Sequence, residues 1–218
     1  MIRTRKLYIL VSQTNTGIAR LIRGVSRYPY NHVSVTLDPG LRRWYSFARY
    51  VQDAPFFGGL VSESVERLCD PTGDIQVRVY RVEIPERKAR ELEQLLELAD
   101  KPDSGLLYNH FDALACACGT RLPLPGCHTC LSFACELLDQ QHVSIASLCE
   151  ALENCCFYEG SLRKLVEVTD SREDPYFVPA GMISGTARSL AQLGRLSART
   201  ISHGARVYFR TYFRRSVH

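Results

Sequence analysis

Long apolar runs are missing from this chain of 218 residues. The first one, Leu7–Val11, follows a positively charged start but is too short for the core of a secretory signal. Nothing approaches the roughly 20 apolar residues that a membrane-spanning helix requires. Export and membrane insertion are therefore not expected, and the chain is read as cytoplasmic. Internal repeats are also missing, which excludes a solenoid or propeller. From Pro175 to the C-terminus there is no acidic residue and no lysine, only seven arginines (188, 195, 199, 206, 210, 214 and 215). Taking those seven from the overall charge of +4 leaves −3 for residues 1–174. A near-neutral body with a basic end does not suit a whole-domain nucleic-acid binder, so no nucleic-acid partner is expected.

Cysteine, by contrast, is abundant: nine, at 69, 116, 118, 127, 130, 135, 149, 155 and 156. An odd count without an export signal argues against a disulfide framework. In a reducing compartment most of these residues serve as small buried apolar groups, and Cys116, Cys118, Cys135, Cys149, Cys155 and Cys156 lie in segments that read as helical. With 45% hydrophobic and 23% charged residues the composition is that of a globular protein long enough to bury its own core.

Periodicity supplies the elements. Leu7–Val11 reads as a strand and "IARLIRGVSRY" as a helix through Ile18, Leu21, Ile22 and Val25. "NHVSVTL" alternates, with Val33, Val35 and Leu37 on one face and His32, Ser34 and Thr36 on the other. "DPG" then turns the chain into "RWYSFARY", giving a hairpin. "FFGGLVSESVERL" reads as a loop at its glycines. Ile75–Ile84 is a strand whose apolar parity shifts between Val79 and Tyr80, the mark of a bulge or of burial on both faces. Pro85 opens a helix with Leu92, Leu95, Leu96 and Ala99 inward, and a second helix spans about 106–118. Residues 175–218 form a basic extension suited to an amphipathic helix. An anionic membrane surface or partner would be its match.

The chemistry concentrates in "LPGCHTCLSFACELL". Leu131, Ala134, Leu137 and Leu138 follow one helical face, with Thr129 as N-cap, so a helix starts at Cys130. Unpaired N–H groups and the macrodipole there favour the thiolate. Cys135, deeper in the helix, has no such help. A thiolate needs a proton shuttle, and of the six histidines His32 is best placed, on the less apolar face of a strand. Pairing Leu37 with Leu41 or with Arg43 puts Ser46 on that same face, opposite His32 or one diagonal step away. Ser46 is taken as the group that orients the imidazole; Glu63 or Asp38 could do so with a full charge. A zinc site from Cys116, Cys118, Cys127 and Cys130 is disfavoured, because residues two apart on a helix point away from each other. No metal or cofactor is expected.

The order of these parts resembles the circularly permuted papain-like branch of the NlpC superfamily, which includes relatives of lecithin-retinol acyltransferase. "YNHVSVTLD", "WYSFARY" and the "HTCLSFACELL" helix carry the resemblance, which spans about 6–166. It implies an α+β papain-like fold, with a small antiparallel sheet packed against helices. The nucleophile stands at a helix N-terminus and the histidine strand comes first in sequence. Residues 1–174 would be the catalytic domain and 175–218 the extension. The implied nucleophile is Cys130, with His32 as general base and Ser46 at the third polar position. The implied substrate is a small peptide, amide or lipid ester. The alternative is a papain-like binding module with little or no turnover.

Overall fold

The computed structural model describes residues 3–14, 28–69, 73–117, 119–166 and 174–215. The helix expected over Ile18–Val25 falls outside them, as does Cys118. The molecule is α+β. Strands β1 (Thr4–Ser12), β2 (His32–Thr36), β3 (Trp44–Arg49), β4 (Gly58–Glu63), β5 (Gln76–Pro85) and β8 (Cys156–Ser161) form one antiparallel sheet in the order β4-β3-β2-β1-β5-β8. Two short strands, β6 (Leu107–Tyr108) and β7 (Cys127–His128), pair in parallel beside it.

Both faces of the sheet are covered. Leu7, Ile9 and Val11 of β1, Val33 and Val35 of β2, and Phe47 of β3 bury against α2 (Glu86–Leu96), α4 (Cys130–Leu137) and α5 (Ile145–Ala151). On the other face Tyr8, Leu10, Trp44, Val77 and Val79 bury against α1 (Val65–Cys69) and α6 (Leu162–Leu165). A fully buried aliphatic side chain contributes about 1.5–3 kcal/mol. Two such layers hold β1 and β2 firmly in the middle of the sheet.

Register follows the alternation. Val35 faces Tyr45, the alignment in which Leu37 would meet Arg43. In β5 the ladder to β8 slips between Val79 and Tyr80, with Phe157 as the extra residue, while Val77 and Val79 face one core and Tyr80 and Ile84 the other.

Three expectations are corrected. The glycines of "FFGGL" lie in β4, not in a loop. A Cβ on Gly58 would come 2.5 Å from the Ala48 carbonyl oxygen, and one on Gly59 would collide with Tyr50 Oη and the Leu106 carbonyl, so close packing selects glycine in a strand. The helix read from about 106 begins at His110: α3 is His110–Ala117. Leu107 and Tyr108 are drawn into pairing with β7, and Asn109 then starts the helix by accepting from Asp112 N at 3.0 Å. Cys155 closes a 3-10 turn and Cys156 opens β8, so neither is in an α-helix.

The extension contains α7 (Met182–Arg215), whose buried residues rest on the body. The Gln192 side chain bonds both backbone groups of Gly58. Leu196 buries among Leu107, Leu124 and Cys127.

Candidate active site

The turn into α4 is held from two sides. Asn109 N donates to the His128 carbonyl at 2.8 Å, continuing the β6–β7 pairing. Thr129 Oγ1 then accepts from Ser132 N at 3.0 Å, and Ser132 Oγ accepts from Thr129 N at 2.7 Å, a reciprocal cap. Cys130 is the first helical residue and is half-buried, while Leu131, Phe133, Ala134 and Cys135 behind it are buried. Its own N–H precedes the helical ladder and is not used by it.

Helix α4 packs on β2 and β3, which brings Cys130 to the start of β2. His32 stands there as the first residue of the strand. Its Nε2 meets both carboxylate oxygens of Glu63, at 2.9 and 3.0 Å. Ser34 Oγ donates to Glu63 Oε2 at 2.6 Å. The His32 side chain is 13% exposed and that of Glu63 only 4%. With Nε2 committed to Glu63, Nδ1 is the ring nitrogen left for the thiol.

Electrostatics follow from this arrangement. Burial would strip the proton from the His32 ring. The Glu63 charge and the adjoining Cys130 sulfur outweigh it, and the ring keeps its proton well above the ordinary imidazole value. Burial would likewise protonate Glu63, but the His32 charge and then Arg67 hold the carboxyl below its usual range. Tyr108 borders the same thiol: its phenol is pushed up by burial first and by the charge on Cys130 second.

Ser46 is fully buried and on the expected face, facing Val61 across β3–β4, but among the described residues its hydroxyl has no hydrogen-bond partner. The partner of His32 is Glu63 instead. Asp38 caps the β2–β3 turn, accepting from Gly40 N at 2.8 Å, and stays away from the ring. His128 lies beside Phe47 and pairs with Glu136 at 3.4 Å, and His110 bonds the Phe56 carbonyl at 3.2 Å. Among the described residues no three His, Cys, Asp or Glu side chains gather around a metal position.

Arg67 and Ser34 were not singled out by sequence. Arg67 Nε lies 4.0 Å from Glu63 Oε1 and Nη1 lies 4.0 Å from Asp174 Oδ1, with the guanidinium stacked 4.5 Å over the Tyr176 ring. Its remaining donors reach the Ser62 and Arg49 carbonyls. The i, i+4 spacing of Glu63 and Arg67 was the available signal, hidden because the glycines of β4 read as a loop and the two sit on different elements.

No family model and no curated protein matches the chain. Among solved structures it is similar to the crystal structure of the type VI secretion system effector TseH, at 15% identity over 86% of this chain and 89% of that one, with a TM-score of 0.29.

Proposed function

We propose that the protein is a cysteine hydrolase or acyltransferase with a circularly permuted papain-like core, acting on an amide or ester carbonyl through a thioester at Cys130. The observation that carries this reading is the buried relay Glu63–His32–Cys130, in which a carboxylate holds one ring nitrogen and leaves the other beside a helix-terminal thiol. That is the arrangement by which a weak nucleophile is activated. Glu63, rather than Ser46, is the orienting group.

In the reaction, the proton of the thiol resides on His32 and Sγ attacks the carbonyl carbon. The carbonyl electron pair moves to oxygen, which the N–H of Cys130, outside the helical ladder, can stabilise by donating a hydrogen bond. As the tetrahedral adduct collapses, the amine or alcohol leaves with the proton from His32. Water or a second acceptor then gives a proton to His32 and attacks the thioester, and the thiol is restored. The substrate class is a small peptide, amide or lipid ester, and no cofactor takes part.

The test is acyl trapping. The protein is incubated with p-nitrophenyl acetate, and the adduct is located by peptide mass mapping. One acetyl group on Cys130 is expected, lost in Cys130→Ala and slowed in His32→Gln. Labelling that leaves Cys130 untouched removes it from the mechanism. A Cys130 no more reactive than free cysteine leaves the binding-module reading in its place.

A further inference from the structure

We propose that α7 is an interfacial helix that attaches this protein to anionic membrane surfaces, lying on them rather than crossing them. The helix has three sides. Ser189, Gln192 and Leu196 are buried on the body. Away from it run Ile183, Leu190 and Ile201, exposed to 87%, 64% and 72%. Their separations of seven and eleven residues are about two and three helical turns, so they form one line. Arg188, Arg195 and Arg206 repeat the same spacing five residues further on, and all three are exposed. That offset places the arginine row about 140° round the helix from the aliphatic row.

Large aliphatic side chains held in water at this exposure, on a helix whose other exposed side carries a row of one charge sign, call for a partner that offers both an apolar layer and negative charge. A lipid surface with acidic headgroups offers both. Nucleic acid offers no layer for Ile183, Leu190 and Ile201. A second copy joined through the aliphatic rows would leave both arginine rows without a counter-charge, since residues 175–218 hold no acid. Among the described residues no helix is long and apolar enough to cross a membrane, which agrees with a helix lying on the surface.

The contacts of α7 give the attachment a direction. Arg199 Nη1 reaches the Gly126 carbonyl and Cys127 Sγ, both at 3.4 Å, four and three residues before the thiol that heads α4. The helix is thus fastened to the segment that leads into the candidate site.

The full chain is sedimented with sucrose-loaded vesicles of phosphatidylcholine alone or with phosphatidylserine added. Binding to the anionic vesicles is expected at least tenfold tighter than to the neutral ones, and weakened by added salt; neither comparison needs a variant. Ile183→Ser with Leu190→Ser, and separately Arg188→Gln with Arg195→Gln, should each lower binding at least fivefold, with circular dichroism unchanged. Equal binding to both vesicle types, or no binding, overturns the proposal. So does loss in the arginine variant without loss in the aliphatic one, which would be simple adsorption of charge. Self-association by light scattering, or capture of a short oligonucleotide instead of vesicles, also overturns it. None of these readouts depends on turnover, so failure of the hydrolase reading would leave them intact.

Discussion

Glu63→Gln separates the charge of the relay from its shape. The amide oxygen can still accept from His32 Nε2, so the imidazole stays in place while the negative charge goes. In the wild type two opposite charges meet at 2.9 Å in a site where the carboxylate side chain is 4% exposed. Unit charges about 4 Å apart attract by about 4 kcal/mol at an effective dielectric near 20. At 1.36 kcal/mol per tenfold, that is up to a thousandfold in the imidazolium–thiolate population. The retained hydrogen bond recovers part of it, so the expected loss is roughly 10²–10³-fold. The measurement is the second-order rate of iodoacetamide capture at Cys130 by mass mapping, alongside turnover of p-nitrophenyl acetate. Ser46→Ala is the paired control and should change neither by more than about twofold, because among the described residues its hydroxyl has no partner to lose. Capture within twofold of wild type in Glu63→Gln, together with a large loss in Ser46→Ala, would refute the reasoning.

The same pair sets a pH signature in stability. His32 is held above its ordinary 6.5, so its contribution is complete below that value and fades as the pH rises toward the folded one. Glu63 is held below its ordinary 4.5, so its contribution is complete above that value and fades as the pH falls. The melting gap between wild type and Glu63→Gln should be widest between 4.5 and 6.5; a gap that widens above this window contradicts the ion pair. Arg67→Met removes a buried cation from between Glu63 and Asp174 and should cost about 3–5 kcal/mol in urea denaturation. A cost below about 1 kcal/mol would mean that the guanidinium holds neither carboxylate. Thr129→Ala loses the reciprocal cap and should cost about 1 kcal/mol while slowing Cys130 capture; unchanged capture would free the thiol from dependence on its cap. Gly59→Ala should destabilise by about 1–3 kcal/mol through collision with Tyr50 and Leu106, and a neutral result would show that β4 can shift away.

By itself the sequence determined what depends on neighbours along the chain. Strict alternation placed His32, Ser34 and Thr36 on one face of a strand. Thr129 before an apolar helical face located the helix start at Cys130. The even register sum for the hairpin put Ser46 on the face of His32, and the structure has it there. Contacts between distant segments were decided only by the tertiary structure. Glu63 lies 31 residues from His32 and reaches it across the intervening strand β3, a pairing set by the order of strands in the sheet. The run holding it reads as a loop at its glycines because Gly58 and Gly59 have no strand propensity, and their requirement for no side chain is visible only once Ala48, Tyr50 and Leu106 close around them. Arg67, Asp174 and Tyr176 show no shared pattern in sequence and meet only through packing. A local pattern can show which face a residue takes. Which partner fills that face is a matter of long-range packing, and here packing chose a carboxylate over a serine that lay on the right face.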